Sequence, residues 1–324
     1  MTHVARHEDS SDLTAVRYRT TTVDGLSIFY REAGDPSNPT LVLLHGFPSS
    51  SVMFRDLIPR LANRFHLIAP DYPGFGRSDS PPPSSFSYTF DRLGEIVDRF
   101  LQQRRVAGYS LYLQDYGGPI GFRLALAHPE RVEALIIQNA VAHEQGLSDL
   151  WTPRRAFWAD RAAHEDAVRA NLLSLEATRQ RHVGRSPQPE RIDPETWESE
   201  YAFLSRPGMV DIQLELFHDY RTNVASYPKW QAYLRDVRPP TLVVWGKHDL
   251  SFTVAGAVAY GDDLPEAEVH LLNAGHFALD EAAPRIAELI RSFFAVRISA
   301  TRQARDPMKR SNLAAPGAGA EVNP

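Results

Sequence analysis

The chain of 324 residues contains no cysteine. This absence excludes disulfides, thiolate metal sites and a cysteine nucleophile. The chain also lacks any run of roughly 18 apolar residues, the length that a membrane-spanning helix needs. Residues 1–16 lack the apolar stretch of a secretion signal. We therefore expect a cytoplasmic protein that does not bind a membrane.

An excess of positive charge is absent as well. Lys and Arg number 35 against 40 Asp and Glu, the net charge is −5 and the isoelectric point is near 6.2. A nucleic-acid partner is therefore not expected. The hydrophobic fraction of 43% and the charged fraction of 23% are typical of a globular protein. The expected partner is a small apolar substrate, and the sequence is compatible with a homodimer.

Short β-rich runs alternate with helical patterns over much of the chain. The predicted strands cover residues 18–23, 26–32, 40–44, 66–70, 109–114, 132–138, 241–245 and 267–272. Residues 41–44 are all apolar, which favours a central parallel strand that is covered on both faces. The alternation of strands and helices predicts an α/β fold in which helices flank a mostly parallel central sheet.

The alternation lapses between residues 141 and 236. The helical stretches predicted there cover residues 161–175, 194–204 and 210–223. A polar loop is predicted at 181–191. A helical insertion between two core strands predicts a cap domain with the active site beneath it.

The rest of the chain is divided around this insertion. The predicted core consists of residues 17–140 and 237–300. Residues 1–16 are polar and predict a loose N-terminal arm. Residues 301–324 are poor in large apolar side chains, which predicts a disordered tail.

One predicted strand ends at an aspartate in a glycine-rich turn. The sequence QDYGG at 114–118 contains Asp115 and leads into a helical pattern. A strand, a sharp turn and a helix form a nucleophile elbow. A carboxylate is a poor catalyst of acyl transfer, but it attacks saturated carbon that bears a leaving group. Asp115 is therefore predicted to open a C–O or carbon–halogen bond through an alkyl-enzyme ester.

Two more polar residues follow predicted strands, in the order nucleophile, acid, base. They are Asp249 and His276. Loops at the carboxyl ends of parallel strands converge on one crevice, so the three side chains can meet. His276 is predicted to activate water, and Asp249 to orient the imidazole. No metal or organic cofactor is expected.

The residues around this constellation receive other roles. Ser110 is followed by bulky residues where an elbow needs small ones, and Ser78 has no helix directly after it, so both are predicted to be structural. The backbone N–H groups of Phe47 and Tyr116 are predicted to form the oxyanion hole. His45 is predicted to fix the loop that carries Phe47 by a hydrogen bond.

The motifs together resemble the α/β-hydrolase superfamily, and within it the Asp-nucleophile branch of epoxide hydrolases and haloalkane dehalogenases. The resemblance covers residues 18–296. It is carried by HGFP at 45–48, DYPGFGRSD at 71–79, QDYGG at 114–118, WGKHD at 245–249 and GHFALDE at 275–281.

Within this branch the resemblance favours epoxide hydrolases. Haloalkane dehalogenases hold the halide with a Trp directly after the nucleophile and with an Asn or a cap Trp, but Tyr116 and Phe47 occupy the first two positions here. Epoxide hydrolases protonate the opening oxygen with cap tyrosines, one of which lies about thirty residues before the acid. Tyr220, in HDYR at 218–221, lies 29 residues before Asp249. The resemblance thus implies that Tyr220 donates this proton.

The second cap tyrosine of that family has no counterpart at residues 141–200. Tyr201 is the nearest substitute, and Trp158 occupies the same general region, so both are predicted to line the substrate pocket. Two alternatives are left open: the enzyme has a single proton donor for ring opening, or it uses Tyr116 or Tyr201 as the second donor.

Three alternatives to an epoxide hydrolase are left open. The first is a haloalkane dehalogenase. The second is a haloacid dehalogenase similar to the haloacetate enzymes, although Tyr116 stands where those enzymes have an Arg that anchors the carboxylate. The third belongs to another class, a ligand-binding protein without catalysis, but such proteins usually lose a member of the triad. The expected reaction is hydrolysis of an epoxide to a vicinal diol.

Overall fold

The computed structural model describes residues 14–305. Side chains are described for residues 14–296 except 171 and 172. The first 13 residues of the predicted arm and the predicted tail from residue 306 lie outside the described residues. No helix of the described part is long and apolar enough to cross a bilayer.

Eight strands form one sheet in the order β1-β2-β4-β3-β5-β6-β7-β8. The strands are β1 (Arg17–Val23), β2 (Leu26–Ala33), β3 (Thr40–Leu44), β4 (His66–Pro70), β5 (Tyr109–Gln114), β6 (Val132–Gln138), β7 (Thr241–Gly246) and β8 (Glu268–Leu272). Strand β2 is antiparallel to both β1 and β4, whereas the strands from β4 to β8 pair in parallel. The predicted mostly parallel sheet is therefore confirmed, and each strand end lies within one residue of its predicted position.

Helices of the core cover both faces of this sheet. They are α1 (Ile58–Leu61), α2 (Phe90–Gln103), α3 (Gly117–Ala127), α9 (Val254–Asp263) and α10 (Ala278–Arg305). Strand β3 explains why both faces need cover, because Val42 and Leu44 belong to one buried cluster and Leu41 and Leu43 to another. Alternate residues of a strand point to opposite faces, so its apolar run fills two hydrophobic layers.

The chain between β6 and β7 folds into helices that lie over the carboxyl ends of the strands. The α-helices are α4 (Thr152–Ala159), α5 (Arg161–Leu172), α6 (Leu175–Val183), α7 (Glu195–Leu204) and α8 (Met209–Val237). We call α4 to α8 the cap helices. They occupy the part of the chain where the sequence predicts a cap.

Several predicted boundaries in and after this region are wrong. The helix predicted at 161–175 is interrupted before Ser174, whose side chain accepts a hydrogen bond from the amide of Ala177 and starts α6. Helix α6 continues to Val183, so the predicted polar loop begins later than residue 181. Helix α8 runs on to Val237 instead of ending at residue 223, and α10 ends at Arg305, inside the predicted tail.

Candidate active site

The turn between β5 and α3 holds Asp115 in a left-handed backbone conformation, with φ of 48°. Two glycines make this turn possible. A Cβ on Gly117 would lie 2.1 Å from the carbonyl oxygen of Leu44, and a Cβ on Gly46 would lie 2.3 Å from the Cβ of Asp115. Only glycine fits at such distances. The strained turn presents the carboxylate at the carboxyl end of the sheet, as expected of a nucleophile elbow.

The two oxygens of Asp115 have different surroundings. Oδ1 accepts a hydrogen bond of 2.8 Å from the backbone amide of Phe47. Oδ2 lies 3.8 Å from Nε2 of His276, beyond hydrogen-bond distance. Burial raises the pKa of Asp115, while His276 and the amides of Phe47 and Tyr116 favour the ionised form and oppose that shift. One oxygen therefore occupies the predicted oxyanion hole, and the other faces the histidine.

The structure brings His276 and Asp249 together behind the nucleophile. Nδ1 of His276 lies 2.7 Å from Oδ2 of Asp249. Burial lowers the pKa of His276, but the charge and the hydrogen bond of Asp249 and the charge of Asp115 together outweigh burial, so the pKa lies above its usual value. Because Nδ1–H donates to the carboxylate, Nε2 is the nitrogen that can accept a proton. Nε2 currently accepts from the Gln114 amide nitrogen, 3.0 Å away.

Asn139 is a site residue that sequence reasoning missed. It follows β6 with φ of 44°, and its Nδ2 donates to Oδ2 of Asp249 at 2.8 Å. The same amide pairs with the backbone of Gly246 at the end of β7. The other oxygen of Asp249 accepts from the amides of Ser251 and Phe252. The only signal in the sequence is a polar pair, Gln138 and Asn139, that ends an apolar strand.

The loop that carries Phe47 is fixed by buried polar groups. Nε2 of His45 accepts from the amide of Tyr72, and the two rings stack at 3.9 Å. Burial lowers the pKa of His45 to about 3, so the ring is neutral at physiological pH. Asp71 accepts from the amide of Ser51 at 2.7 Å, and Ser78 donates to the carbonyl of Asp71. These contacts place His45 and Ser78 outside the triad.

A cavity of about 330 Å³ lies between the triad and the cap helices. Its volume is suited to a small organic molecule. From the core it is lined by Phe47, Asp115, Tyr116, Asp249 and His276, and from the cap by Trp151, Arg154, Arg181 and Phe217. Within residues 14–305, no group of three or more His, Cys, Asp or Glu side chains is arranged to hold a metal ion.

The predicted proton donor, Tyr220, and the two predicted pocket residues, Trp158 and Tyr201, do not line this cavity. Tyr220 is buried on α8, with its ring 5.8 Å from that of Tyr116, but it does not line the cavity. Trp158 stacks on Tyr220 at 6.1 Å, behind the cavity wall. Tyr201 lies on α7, whereas the cap wall comes from α4, α6, α8 and the short helix that ends at Trp151. The prediction that Trp158 and Tyr201 line the pocket is therefore wrong.

Hydrogen bonding further restricts the groups that could bind substrate. The indole N–H of Trp151 donates to the carbonyl of Ser251 at 3.1 Å, and that of Trp158 donates to the carbonyl of Phe217 at 2.7 Å. The hydroxyl of Tyr116 is instead buried without a hydrogen-bond partner among the described residues. A free donor next to the nucleophile is thus a tyrosine and not an indole.

Comparison with known proteins places this arrangement in a family. The family model described as alpha/beta hydrolase fold matches residues 39–283. An uncharacterized hydrolase of Saccharomyces cerevisiae is 42% identical over 88% of this chain and 99% of its own. Haloalkane dehalogenase 2 of Mycobacterium tuberculosis is 28% identical over 81% of this chain and 90% of its own. The crystal structure of the epoxide hydrolase CorEH has a TM-score of 0.70 and 21% identity, covers 87% of this chain and 99% of its own, and shows a shared fold.

Proposed function

The chain belongs to the α/β-hydrolase fold family, and from this premise we propose that it hydrolyses epoxides to vicinal diols through an ester of Asp115. An enzyme of this class is supported by the family match and by the hydrolase of Saccharomyces cerevisiae. The choice of epoxide rests on the groups around Asp115.

In the first step, Oδ2 of Asp115 attacks a ring carbon. The new bond is the ester C–O bond, and the bond that breaks is the ring C–O bond. Oδ2 suits this role because it lies on the side of His276, 3.8 Å from Nε2, whereas Oδ1 accepts a hydrogen bond from the amide of Phe47. The departing ring oxygen becomes an alkoxide and needs a proton from the enzyme.

The observation that carries the proposal is a pair of neutral tyrosines beside Asp115. Burial raises the pKa of Tyr116 and of Tyr220 well above the usual value, and the charge of Asp115 adds to both shifts. Both hydroxyls therefore keep their protons at neutral pH and can donate to an alkoxide. We assign the donation to Tyr220. Tyr116 is the second candidate, because it lines the cavity and its hydroxyl has no hydrogen-bond partner within the described part of the chain.

In the second step, His276 removes a proton from water, and the water oxygen bonds to the carboxyl carbon of Asp115. The negative charge develops on Oδ1, which already accepts a hydrogen bond from the amide of Phe47. The amide of Tyr116, which also bonds the Asp115 carboxylate, is the second donor of the oxyanion hole. Collapse of this intermediate expels the diol oxygen, which takes the proton from the imidazolium. Asp249 stabilises that imidazolium. Asp115 is left as a carboxylic acid and loses to solvent the proton that came with the water, while the donor tyrosine regains a proton from solvent.

Dehalogenation is disfavoured because the indole N–H groups near the site are already hydrogen-bonded. A departing halide needs N–H donors that are not already engaged. Both cap tryptophans next to this site donate to backbone carbonyls. A tyrosine hydroxyl suits an alkoxide, which needs a proton, better than it suits a halide, which does not.

A parallel assay tests the choice of substrate. Aryl and alkyl epoxides would be offered beside bromoalkanes of the same carbon skeleton, and diol and bromide would be measured. We expect diol from at least one epoxide and little bromide, with both activities absent from Asp115→Ala. Rapid bromide release without diol would overturn the proposal in favour of a dehalogenase.

A further inference from the structure

The cap wall of the cavity contains two arginines that the triad chemistry does not use. Arg154 lies on α4, and Arg181 lies in the last turn of α6. Both line the cavity that contains Asp115. The guanidinium of Arg154 lies 4.4 Å from the centre of the Trp151 ring, and that of Arg181 lies 4.7 Å from the centre of the Phe47 ring. Two separate cap helices therefore direct positive charge towards the nucleophile.

Arg154 is short of partners. Its Nε and Nη1 atoms are shielded from solvent and have no hydrogen-bond partner among the described residues. Arg155, the next residue of the same helix, shows the usual arrangement, because it is exposed and donates to Glu144 at 3.0 Å. Arg154 as a whole is half-buried, but polar atoms of a cation that are shielded from solvent without a partner are costly, since shielding removes their hydration. This cost is offset when an anion binds.

The two charges also act on each other. Burial and, as a smaller effect, the positive charge of Arg154 lower the pKa of Arg181 to about 10. Burial likewise lowers the pKa of Arg154. Guanidinium groups nonetheless stay protonated at neutral pH. The cavity therefore holds two neighbouring cations that a single anion could neutralise together.

We propose that the substrate carries a carboxylate, which binds between Arg154 and Arg181 while the epoxide carbon lies over Asp115. This inference rests on the proposed epoxide hydrolysis and names its substrate class, an epoxy acid. The planar guanidinium fork matches a carboxylate, and the rings of Trp151 and Phe47 support the guanidinium planes. The volume of about 330 Å³ limits this class to small or medium acids. An apolar substrate, as the sequence predicts, would leave Nε and Nη1 of Arg154 without a partner in the cavity wall.

A matched pair of substrates tests the carboxylate. The acid is 3-phenylglycidate, and its neutral counterpart is 3-phenylglycidamide. We expect kcat/KM for the acid to exceed that for the amide by about 10²-fold, the usual effect of two charged hydrogen-bonded contacts. Arg154→Gln and Arg181→Gln should each lower kcat/KM for the acid by about 10-fold or more, mainly through KM, and change that for the amide little.

Neighbouring arginines provide the controls. Arg155→Gln on α4 and Arg179→Gln on α6 remove exposed charges that pair with Glu144 and Glu176. Both control variants should keep the preference of the wild type for the acid. Equal losses in the control and test variants, or equal turnover of acid and amide by the wild type, would overturn the inference.

A binding measurement separates this inference from the proposed reaction. Calorimetry with the wild-type protein would compare 3-phenylpropanoate with 3-phenylpropanamide, neither of which can be alkylated onto Asp115. We expect the carboxylate to bind at least about 10-fold more tightly than the amide, and we expect its affinity to fall as the salt concentration is raised. Equal affinities would overturn the carboxylate site even if epoxides are hydrolysed. Tight carboxylate binding without any epoxide turnover would support the site and overturn the proposed reaction.

Discussion

At the scale of single residues, the unequal surroundings of the two Asp115 oxygens determine what the site can do. The amide of Phe47 donates a hydrogen bond of 2.8 Å to Oδ1, while Oδ2 lies 3.8 Å from Nε2 of His276. An aspartate does not need a base to attack, so His276 is available for the later attack of water. In the proposed mechanism, the same oxyanion hole then serves the second step, when charge develops on Oδ1.

The proton donor is tested by removing one hydroxyl at a time. Tyr220→Phe keeps the ring that packs against Phe90 and Trp151 and removes only the O–H group. We expect alkylation of Asp115 by an epoxide to slow by about 10²-fold or more, as for the loss of a general acid. Stopped-flow measurement of the alkylation rate would record this change, and circular dichroism would check the fold.

Tyr116→Phe is the matched comparison, because Tyr116 is the other buried neutral tyrosine of the site. If Tyr220 is the donor, this variant should retain most of the alkylation rate. A large loss in Tyr116→Phe together with a normal rate in Tyr220→Phe would transfer the donor role to Tyr116.

The sequence predicts the triad because each member lies in a local motif at a strand end. Asp115, Asp249 and His276 can therefore be identified without knowing how the cap packs. Asn139 and Arg154 could not be found in this way, since neither lies in a recognisable pattern. Asn139 matters only because β6 and β7 are neighbours, and Arg154 only because α4 packs over the cavity. Such roles depend on long-range placement, which local sequence does not encode.

At the scale of elements, the strands follow the sequence closely and the cap helices do not. A strand that is covered on both faces of the sheet must be apolar along its length, so the end of an apolar run in the sequence marks the end of the strand. Helix α8 instead passes through Pro228, where local propensity predicts a break. Tyr227 and Trp230, on either side, are buried against the core, and their packing outweighs the local cost of proline. Tertiary burial thus explains why the predicted end at residue 223 is wrong.

This explanation predicts the effect of replacing the proline. Pro228 is exposed, so Pro228→Ala removes no buried contact and supplies the missing backbone donor. We expect the variant to be more stable by about 1–3 kcal/mol, the helix-interior cost of proline. Urea unfolding would measure the change. Ala225→Gly, at an exposed site of the same helix, is the control and should lower the stability. A destabilised Pro228→Ala would mean that the proline conformation itself supports the packing of α8.

At the scale of the whole molecule, the cap and the core share one hydrophobic cluster and one buried ionic cluster. Trp151 and Phe217 of the cap region belong to the same cluster as Val42 of the sheet. His182 on α6 lies 2.7 Å from Glu200 of α7 and 2.7 Å from Asp280 of α10. These contacts tie two cap helices to the core helix that follows His276.

The ionic cluster predicts a pH dependence of stability. Burial lowers the pKa of His182, but Glu200 and Asp280 outweigh burial and raise it from 6.5 to about 9. A raised pKa means that the stabilisation is complete below pH 6.5 and is lost as the pH rises through about 9. The contribution is up to about 3 kcal/mol. The free energy of unfolding should therefore fall between pH 6.5 and 9.5 more in the wild type than in His182→Gln.

A histidine NMR titration keeps this prediction testable if His182→Gln does not fold. The His182 resonances of the wild type should titrate well above pH 7. Titration of His182 near or below its usual value would contradict the charged cluster.

The central claim is that Asp115 forms a covalent ester which His276 is needed to hydrolyse. His276→Gln should form this ester and fail to release it, because the carboxylate attacks without help from the base. The most direct measurement is intact-protein mass spectrometry of this variant after incubation with an epoxide that the wild type turns over, followed by peptide mapping. We predict a gain equal to the mass of the whole epoxide, located on Asp115. No adduct, or an adduct on another residue, would contradict the account.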